Sequence, residues 1–334
     1  MKTLDDIKVV DFSHLLPGPL ASKMLAQMGA KVTKVERPDR KDGLRYFPPM
    51  DGDTSWVFKN MNRNKDIKFI AYNTDRGRTK VLELIGEADI VIEQFRPGAM
   101  ASWKLSYDHI RTVKPDIIYV SITGYGQTGP YANHAGHDIN YLGYSGILSL
   151  ITGQKNRPVI PGVQIADIVG GTYPALIAIL SALYHRRRTG VGQYLDIAML
   201  EHILPMLNIP YAQHQASEDS QYPSFLSGQI VNYNIYQCAD DKWMALGALE
   251  VKFWNAFCQS VQKHEWERDN LDALYVDVFP FHEVEVLFKS KSQAEWTAHS
   301  LQHDFCLSPV LGLDEISIDR HLMHKDWINE LFSK

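Results

Sequence analysis

Through residues 1–120 the chain alternates short apolar runs with longer stretches whose apolar side chains recur at helical spacing. Ile7-Lys8-Val9-Val10-Asp11-Phe12 reads as a buried strand. Pro17 then opens a helix that runs through Leu20, Met24, Leu25 and Met28, and Gly29 closes it. Lys31-Val32-Thr33-Lys34-Val35 is a second strand, Ile67 to Ala71 a third, and Val81 to Ile85 belongs to a helix. Ile90-Val91-Ile92 and Ile117-Ile118-Tyr119-Val120 complete the series. Strands separated by helical segments predict an α/β fold, with a mostly parallel sheet flanked by helices on both faces.

Residues 121–136 form a turn-rich loop holding Gly124, Gly126, Gly129, Pro130 and Gly136. A loop at the end of a strand is where a ligand crevice is expected. No G-x-G-x-x-G follows the first strand, Gly18 and Gly29 being too widely spaced, so a dinucleotide in the usual pyrophosphate turn is not predicted. A helix is predicted from Ile139 to Ile151, followed by a second loop reaching Asp167. After Gly170-Gly171, Thr172 has the character of an N-cap, with Pro174 in the first turn. The helix Ala175 to Tyr184 is apolar nearly all round and is expected to be buried. Arg186-Arg187-Arg188 at its end suit the helix dipole and are read as structural. Gln193 to Met199 returns as a strand.

The texture changes near residue 205. Residues 1–205 are expected to form the large domain and 206–224 a linker, polar at Ser217 to Ser220 and turning at Pro223. Residues 225–315 form a smaller α+β domain, and 316–334 a short C-terminal tail. The small domain opens with a strand pair, Ile230 to Cys238 and Trp243 to Leu249, joined by Ala239-Asp240-Asp241-Lys242. Residues 250–310 read as short helices anchored by Phe253, Trp254 and Trp296.

The 334 residues, 45% hydrophobic, can supply a core for each of two domains. A net charge of -5 argues against a general nucleic-acid partner. Cys238, Cys258 and Cys306 form no CxxC pair and are odd in number, which points to a reducing, cytoplasmic setting. Met1-Lys2-Thr3-Leu4-Asp5-Asp6 has no apolar signal core, and no run of about 18 apolar residues predicts a membrane span.

The candidate chemistry centres on Ala135-Gly136-His137-Asp138-Ile139-Asn140-Tyr141 and on Asp167. Histidine is a base near neutral pH without help, whereas a carboxylic acid that donates a proton there needs apolar surroundings to raise its pKa. One of each, facing a carbon atom from opposite sides, can invert a stereocentre. A His-Asp pair also serves as plain structure: a histidine satisfying buried polar groups, an aspartate capping a helix. Gly170 and Gly171 admit two readings, backbone donors for a developing oxyanion or close packing of a turn. Tyr125, Tyr141 and Tyr144 are candidates for an acyl pocket, though aromatics are more often core.

Several segments together resemble the family III CoA-transferases, the CaiB/BaiF superfamily. They are Asp11-Phe12-Ser13-His14-Leu15-Leu16-Pro17-Gly18-Pro19, Lys34-Val35-Glu36-Arg37-Pro38, Asn62-Arg63-Asn64-Lys65 and Glu93-Gln94-Phe95-Arg96-Pro97-Gly98. Ser121 to Tyr131 and Arg188 to Gln193 follow in the same order. Within the family the chain is similar to the α-methylacyl-CoA racemase branch, through Gly136-His137-Asp138-Ile139-Asn140-Tyr141, Asp167 ahead of a glycine pair, and Gly247-Ala248-Leu249-Glu250.

The resemblance implies an isomerase of lipid metabolism that epimerises C2 of 2-methyl-branched acyl-CoA thioesters through an enolate. It implies that His137 and Asp167 exchange the proton, that Glu250 supports the histidine, and that Asp138 pairs with Asp167. Arg37, Arg96 and the group Arg63, Asn64 and Lys65 match positions that hold coenzyme A, and Gly136 and Tyr141 are counted with them. No metal or further cofactor is implied, coenzyme A being part of the substrate. Relatives form interlocked homodimers, so Glu250 of one chain is expected to reach His137 of the other. They also continue beyond Ser308-Pro309-Val310-Leu311 with a segment returning to the large domain, where here only Gly312 to Lys334 remain, which bears on stability and activity. Two alternatives stay open: a CoA-transferase in which Asp167 attacks the acyl-CoA to form a mixed anhydride, and a non-catalytic CoA-binding dimer.

Overall fold

The structure is a computed structural model that describes residues 2–153, 156–216, 226–270 and 281–324. The described residues divide into two compact units, Met1–Ile209 and Pro210–Lys334.

The first unit carries strands β1 (Lys8–Asp11), β2 (Lys31–Glu36), β3 (Met50–Asp51), β4 (Thr54–Ser55), β5 (Lys65–Phe69), β6 (Ile90–Glu93), β7 (Ile118–Thr123) and β8 (Gln193–Ala198). β3 and β4 form a small hairpin. The other six make one sheet in the order β5-β2-β1-β6-β7-β8, with every neighbour parallel. Alternate side chains feed two cores. Val9, Ile90, Ile92, Ile118 and Val120 meet Ala21 and Leu25 of the helix Pro17–Gln27 and Ile179 of the helix Tyr173–Thr189. Val10, Val35, Val91 and Tyr119 meet Val81 and Ile85 of the helix Asp75–Gly86 on the opposite face. Burying each such aliphatic side chain stabilises the unit by about 1.5–3 kcal/mol, and because β6 and β7 are covered on both faces they open with apolar runs, Ile90-Val91-Ile92 and Ile118-Tyr119-Val120.

The third strand starts two residues before the predicted Ile67, because Lys65 buries its charged end and so sits within a strand despite its polarity. The helix predicted over Ile139 to Ile151 breaks at Gly146, which takes φ +82°, leaving Asp138–Ser145 and Ile147–Leu150. The second predicted loop ends at Gln164, just before Asp167, and Thr172 is not an N-cap. A wide π turn, Ala166–Thr172, runs straight into Tyr173–Thr189, and Thr172 is itself helical. Its hydroxyl donates to the Pro17 carbonyl at 2.9 Å and to the Asp167 carbonyl at 3.4 Å.

Full burial of this helix is also corrected. Ala175, Leu176, Ile179 and Ala182 are buried, but Ile177 is 69% and Tyr184 67% exposed, because the unit supplies packing partners on one side only. Ala166–Thr189 is long and apolar enough to cross a bilayer by length and composition, yet it packs against β7 and β8 as a core helix.

The expected linker 206–224 is helical where it is described. Pro205 just before it and Pro210 within it sit in the first turns of the short helices Leu204–Leu207 and Asn208–Ala216, where proline is tolerated. Residues 217–224, with Ser217 to Ser220 and Pro223, lie outside the described residues, as does 325–334 of the tail.

The second unit holds β9 (Tyr233–Gln237), β10 (Trp243–Gly247) and β11 (Leu307–Pro309) in the antiparallel order β11-β10-β9. Trp254, Phe257, Phe288, Trp296 and Phe305 fill its core. β11 interrupts the stretch read as helices alone; three residues ending in proline are too short to show a strand period, and proline is tolerated at a sheet edge.

Candidate active site

The order of the sheet reverses between β1 and β6, since the chain builds outward from β1 through β2 to β5 and then crosses to β6, β7 and β8. Loops leaving the carboxyl ends of strands diverge at such a point and open a crevice. A cavity of about 270 Å³ lies there. Leu15 and Pro17 after β1, Gln94 to Pro97 after β6, and Thr123 to Tyr125 at the end of β7 line it, with His137, Asp167 and Met199. Gln94 Oε1 accepts the Gly18 backbone N–H at 3.1 Å and ties the first two loops together.

His137 stands immediately before the helix Asp138–Ser145, in extended backbone, and its N–H donates to Asn140 Oδ1 at 3.0 Å. Asp138, in the first turn, receives the backbone N–H of Asp167 on Oδ1 at 3.0 Å. The helix start that follows His137 and the π turn that carries Asp167 are therefore joined directly. Burial, reinforced by the Asp138 charge, pushes the Asp167 carboxyl up to about 6. The cavity thus holds an imidazole together with a carboxylic acid that stays partly protonated close to neutral pH.

Gly170 and Gly171 have direct packing reasons. A Cβ on Gly170 would lie 2.3 Å from the Met199 carbonyl oxygen, and one on Gly171 2.8 Å from Pro17 Cβ. Tyr141 is buried, and its hydroxyl donates to the Gly136 carbonyl at 2.7 Å; both residues line the cavity. Tyr125 packs edge-on against Tyr141 with ring centres 5.2 Å apart, while Tyr144 lies outside the lining and packs on Tyr125 and Tyr131.

The residues expected to hold coenzyme A separate. Arg96 lines the cavity and is exposed. Arg37 follows β2 at the same edge of the sheet but hydrogen-bonds Asp39 through Nε at 3.0 Å and does not line the cavity. Arg63 and Asn64 precede β5, and in a parallel sheet the leading ends of strands lie opposite the crevice. Lys65 is corrected outright as a phosphate contact: its side chain is fully buried. Its ammonium donates to Pro19 O and Asn62 Oδ1 at 2.9 Å and faces Asp11 Oδ2 at 3.4 Å. Burial works against the Asp11 charge, but Lys65, Lys34 and the Ser13 and Ser22 hydroxyls hold its carboxyl down at about 2. Glu250 belongs to the second unit, where it is exposed and precedes the helix Val251–Ser260.

Sequence reasoning missed Leu15, Gln94, Phe95 and His134 as cavity residues. The strand-end positions of the first three were a usable signal; His134, three residues before His137, carried none.

A doubly wound parallel sheet with a crevice at its switch point, lined by His137 and Asp167, defines the class, an α/β fold with its candidate site on the strand-exit loops. The chain belongs to CoA-transferase family III, which it matches over residues 4–334. It is 32% identical to human α-methylacyl-CoA racemase over 317 residues, covering 94% of this chain and 79% of the racemase. It is 40% identical to a succinate–glutarate CoA-transferase of Agrobacterium fabrum over 205 residues, covering 59% of this chain and 51% of that protein. The crystal structure of a CaiB/BaiF family protein from Brucella suis superposes with a TM-score of 0.82 at 29% identity, covering 97% of this chain and 88% of the other.

Proposed function

We propose that the protein is a 2-methylacyl-CoA racemase. The observation that carries the reading is the joint presence of His137 and Asp167 in one cavity at the switch point, with the Asp167 carboxyl raised to about 6. Neutral His137 removes the C2 proton, the thioester carbonyl takes the charge as an enolate, and protonated Asp167 returns a proton to the opposite face. The reverse direction exchanges the roles, so a single proton is shared by the pair in both directions. Arg96 at the cavity binds phosphate groups of coenzyme A, and Glu250 keeps the imidazole-supporting part that the family resemblance gives it. The protein acts as a homodimer in this reading; the uncovered apolar side of Tyr173–Thr189 supports a second copy as its cover.

A second reading, CoA transfer with Asp167 as nucleophile, draws on the 40% identity to the Agrobacterium transferase. One experiment separates them. The protein is incubated in D2O with a single enantiomer of a 2-methylacyl-CoA and a second free acid. Deuterium at C2 with both epimers formed supports the racemase; movement of CoA to the free acid without C2 deuterium overturns it in favour of the transferase. Absence of both overturns each of them.

A further inference from the structure

Arg96 borders two cavities. On one side is the crevice of His137 and Asp167; on the other is a separate cavity of about 370 Å³, floored by Glu93 and walled by Tyr107, Tyr119, Ser121 and Tyr194. Glu93 ends β6 and is 4% exposed. Its carboxylate accepts the Phe95 backbone N–H at 2.7 Å and a hydrogen bond from Ser121, whose oxygen in turn accepts from the Tyr194 hydroxyl at 3.2 Å. Among the described residues no lysine or arginine forms an ion pair with Glu93, and Arg96 has no ion pair either. A buried carboxyl without a counter-ion resists ionisation, and here burial pushes it up to about 7.

We propose that Glu93 is a positioning residue for coenzyme A, which when ionised draws the Arg96 guanidinium into the second cavity and away from the substrate crevice. The inference rests on the reading above in one respect, that Arg96 serves a phosphate of coenzyme A. Glu93 ends β6 and Arg96 lies three residues on in the loop that leaves it, and both line the second cavity. Every other group facing Glu93 favours this choice of partner. Asp196 on β8 repels an ionised Glu93, and Asp108 on the helix Tyr107–Ile110, which also lines the cavity, pairs with Arg111 at 3.2 Å. The Tyr119 hydroxyl is committed to the Leu105 carbonyl at 3.0 Å, and the Tyr194 hydroxyl to Ser121. Gln127, whose buried side-chain nitrogen has no hydrogen-bond partner, offers a neutral donor only. Among the described residues Arg96 is the one cation lining the cavity.

The test is direct binding of coenzyme A by the full chain at about pH 6 and about pH 8.5, comparing native protein, Glu93→Gln and Arg96→Ala. If ionised Glu93 withdraws nine-tenths of the Arg96 population, the native Kd rises about tenfold relative to Glu93→Gln between the two pH values. The two proteins bind alike at the lower one. The phosphate of coenzyme A titrates equally in both and cancels from the ratio. Arg96→Ala gives a second, independent measure that needs no Glu93 variant: its deficit against native protein shrinks toward nothing at the higher pH. A constant ratio at both pH values, in either comparison, overturns the proposal while leaving coenzyme A as the ligand. Absence of coenzyme A binding at both pH values overturns the proposal together with the functional reading beneath it.

Discussion

The Asp138 carboxylate accepts the backbone N–H of Asp167 at 3.0 Å and at the same time repels the charge of the Asp167 side chain. One group thus fixes where the acid stands and helps to keep it protonated. The two jobs separate on substitution. Asp138→Asn retains an oxygen for the N–H and removes the repulsion, so the Asp167 pKa falls. The reactive form carries one proton on the His137–Asp167 pair, and its acid limb is set by loss of the second proton. That limb of kcat/KM is expected to move to lower pH by up to about one unit, with the alkaline limb little changed. An acid limb that stays in place in Asp138→Asn, measured from pH profiles on both epimers, sinks this account.

Holding Asp167 protonated costs stability. Its folded pKa, about 6, lies above the usual carboxylate value, so the unfolded chain ionises first as pH rises. Stability is therefore lost between about pH 4 and pH 6 and stays lower above that window. Asp167→Asn cannot ionise and escapes the penalty. We expect this variant to abolish inversion and yet to be more stable than native protein at pH 7, by about 3 kcal/mol, with the gain vanishing near pH 4. Urea unfolding at the two pH values reads it; an equal difference at both shows that the buried charge carries no penalty.

The parallel sheet was legible because β1, β6 and β7 are apolar on both faces and sit between helical spacings. His137 and Asp167 stood out in the sequence as an imidazole and a carboxylate beside glycines, and the structure lines one cavity with both. What could not be read shares one cause: a charged or small side chain whose role is set by a distant partner. Lys65 looks like a phosphate ligand until Asp11, 54 positions earlier, is seen beside it. Asp167 looks like a loop residue because Gly170 and Gly171 suggest a turn. They are glycines instead so that a π turn can lie against Met199 and Pro17. Hydropathy marked Ile177 and Tyr184 as buried, and the structure leaves both exposed because the helix packs on one side only.

Lys65 gives the sharpest contrast between a binding role and a structural one. Lys65→Met leaves the buried Asp11 carboxylate without its nearest ammonium, and removing one partner of a buried pair costs about 3–5 kcal/mol. Coenzyme A affinity is expected to be unchanged at a temperature where the variant is folded, since the ammonium never reaches the crevice. Thermal unfolding and calorimetric titration check the two halves. A loss of affinity with little loss of stability restores Lys65 to the phosphate site.

Gly136 tests how tightly the histidine is held. A Cβ added there would lie 2.7 Å from Tyr141 Cε1 and 2.8 Å from the Tyr125 hydroxyl. Neither side chain has room to retreat, because both are buried and pack on each other, and the Gly124 backbone lies against the same edge of the Tyr141 ring, where a Cβ would come within 2.5 Å of Cε1. The strain falls on the loop, and the next residue along it is His137. Overpacking of this kind costs about 1–3 kcal/mol, and a displacement of about 1 Å at a reacting group lowers turnover about a hundredfold. Arg96 lies on a different loop, after β6, so coenzyme A affinity is expected to hold. Gly136→Ala should therefore lower kcat far more than it weakens binding, and pairing it with Tyr141→Leu, which vacates the contested space, should recover part of the turnover. Equal losses in kcat and in affinity, unrelieved by the second substitution, would show that the variant merely unfolds the unit and that the glycine does not position His137.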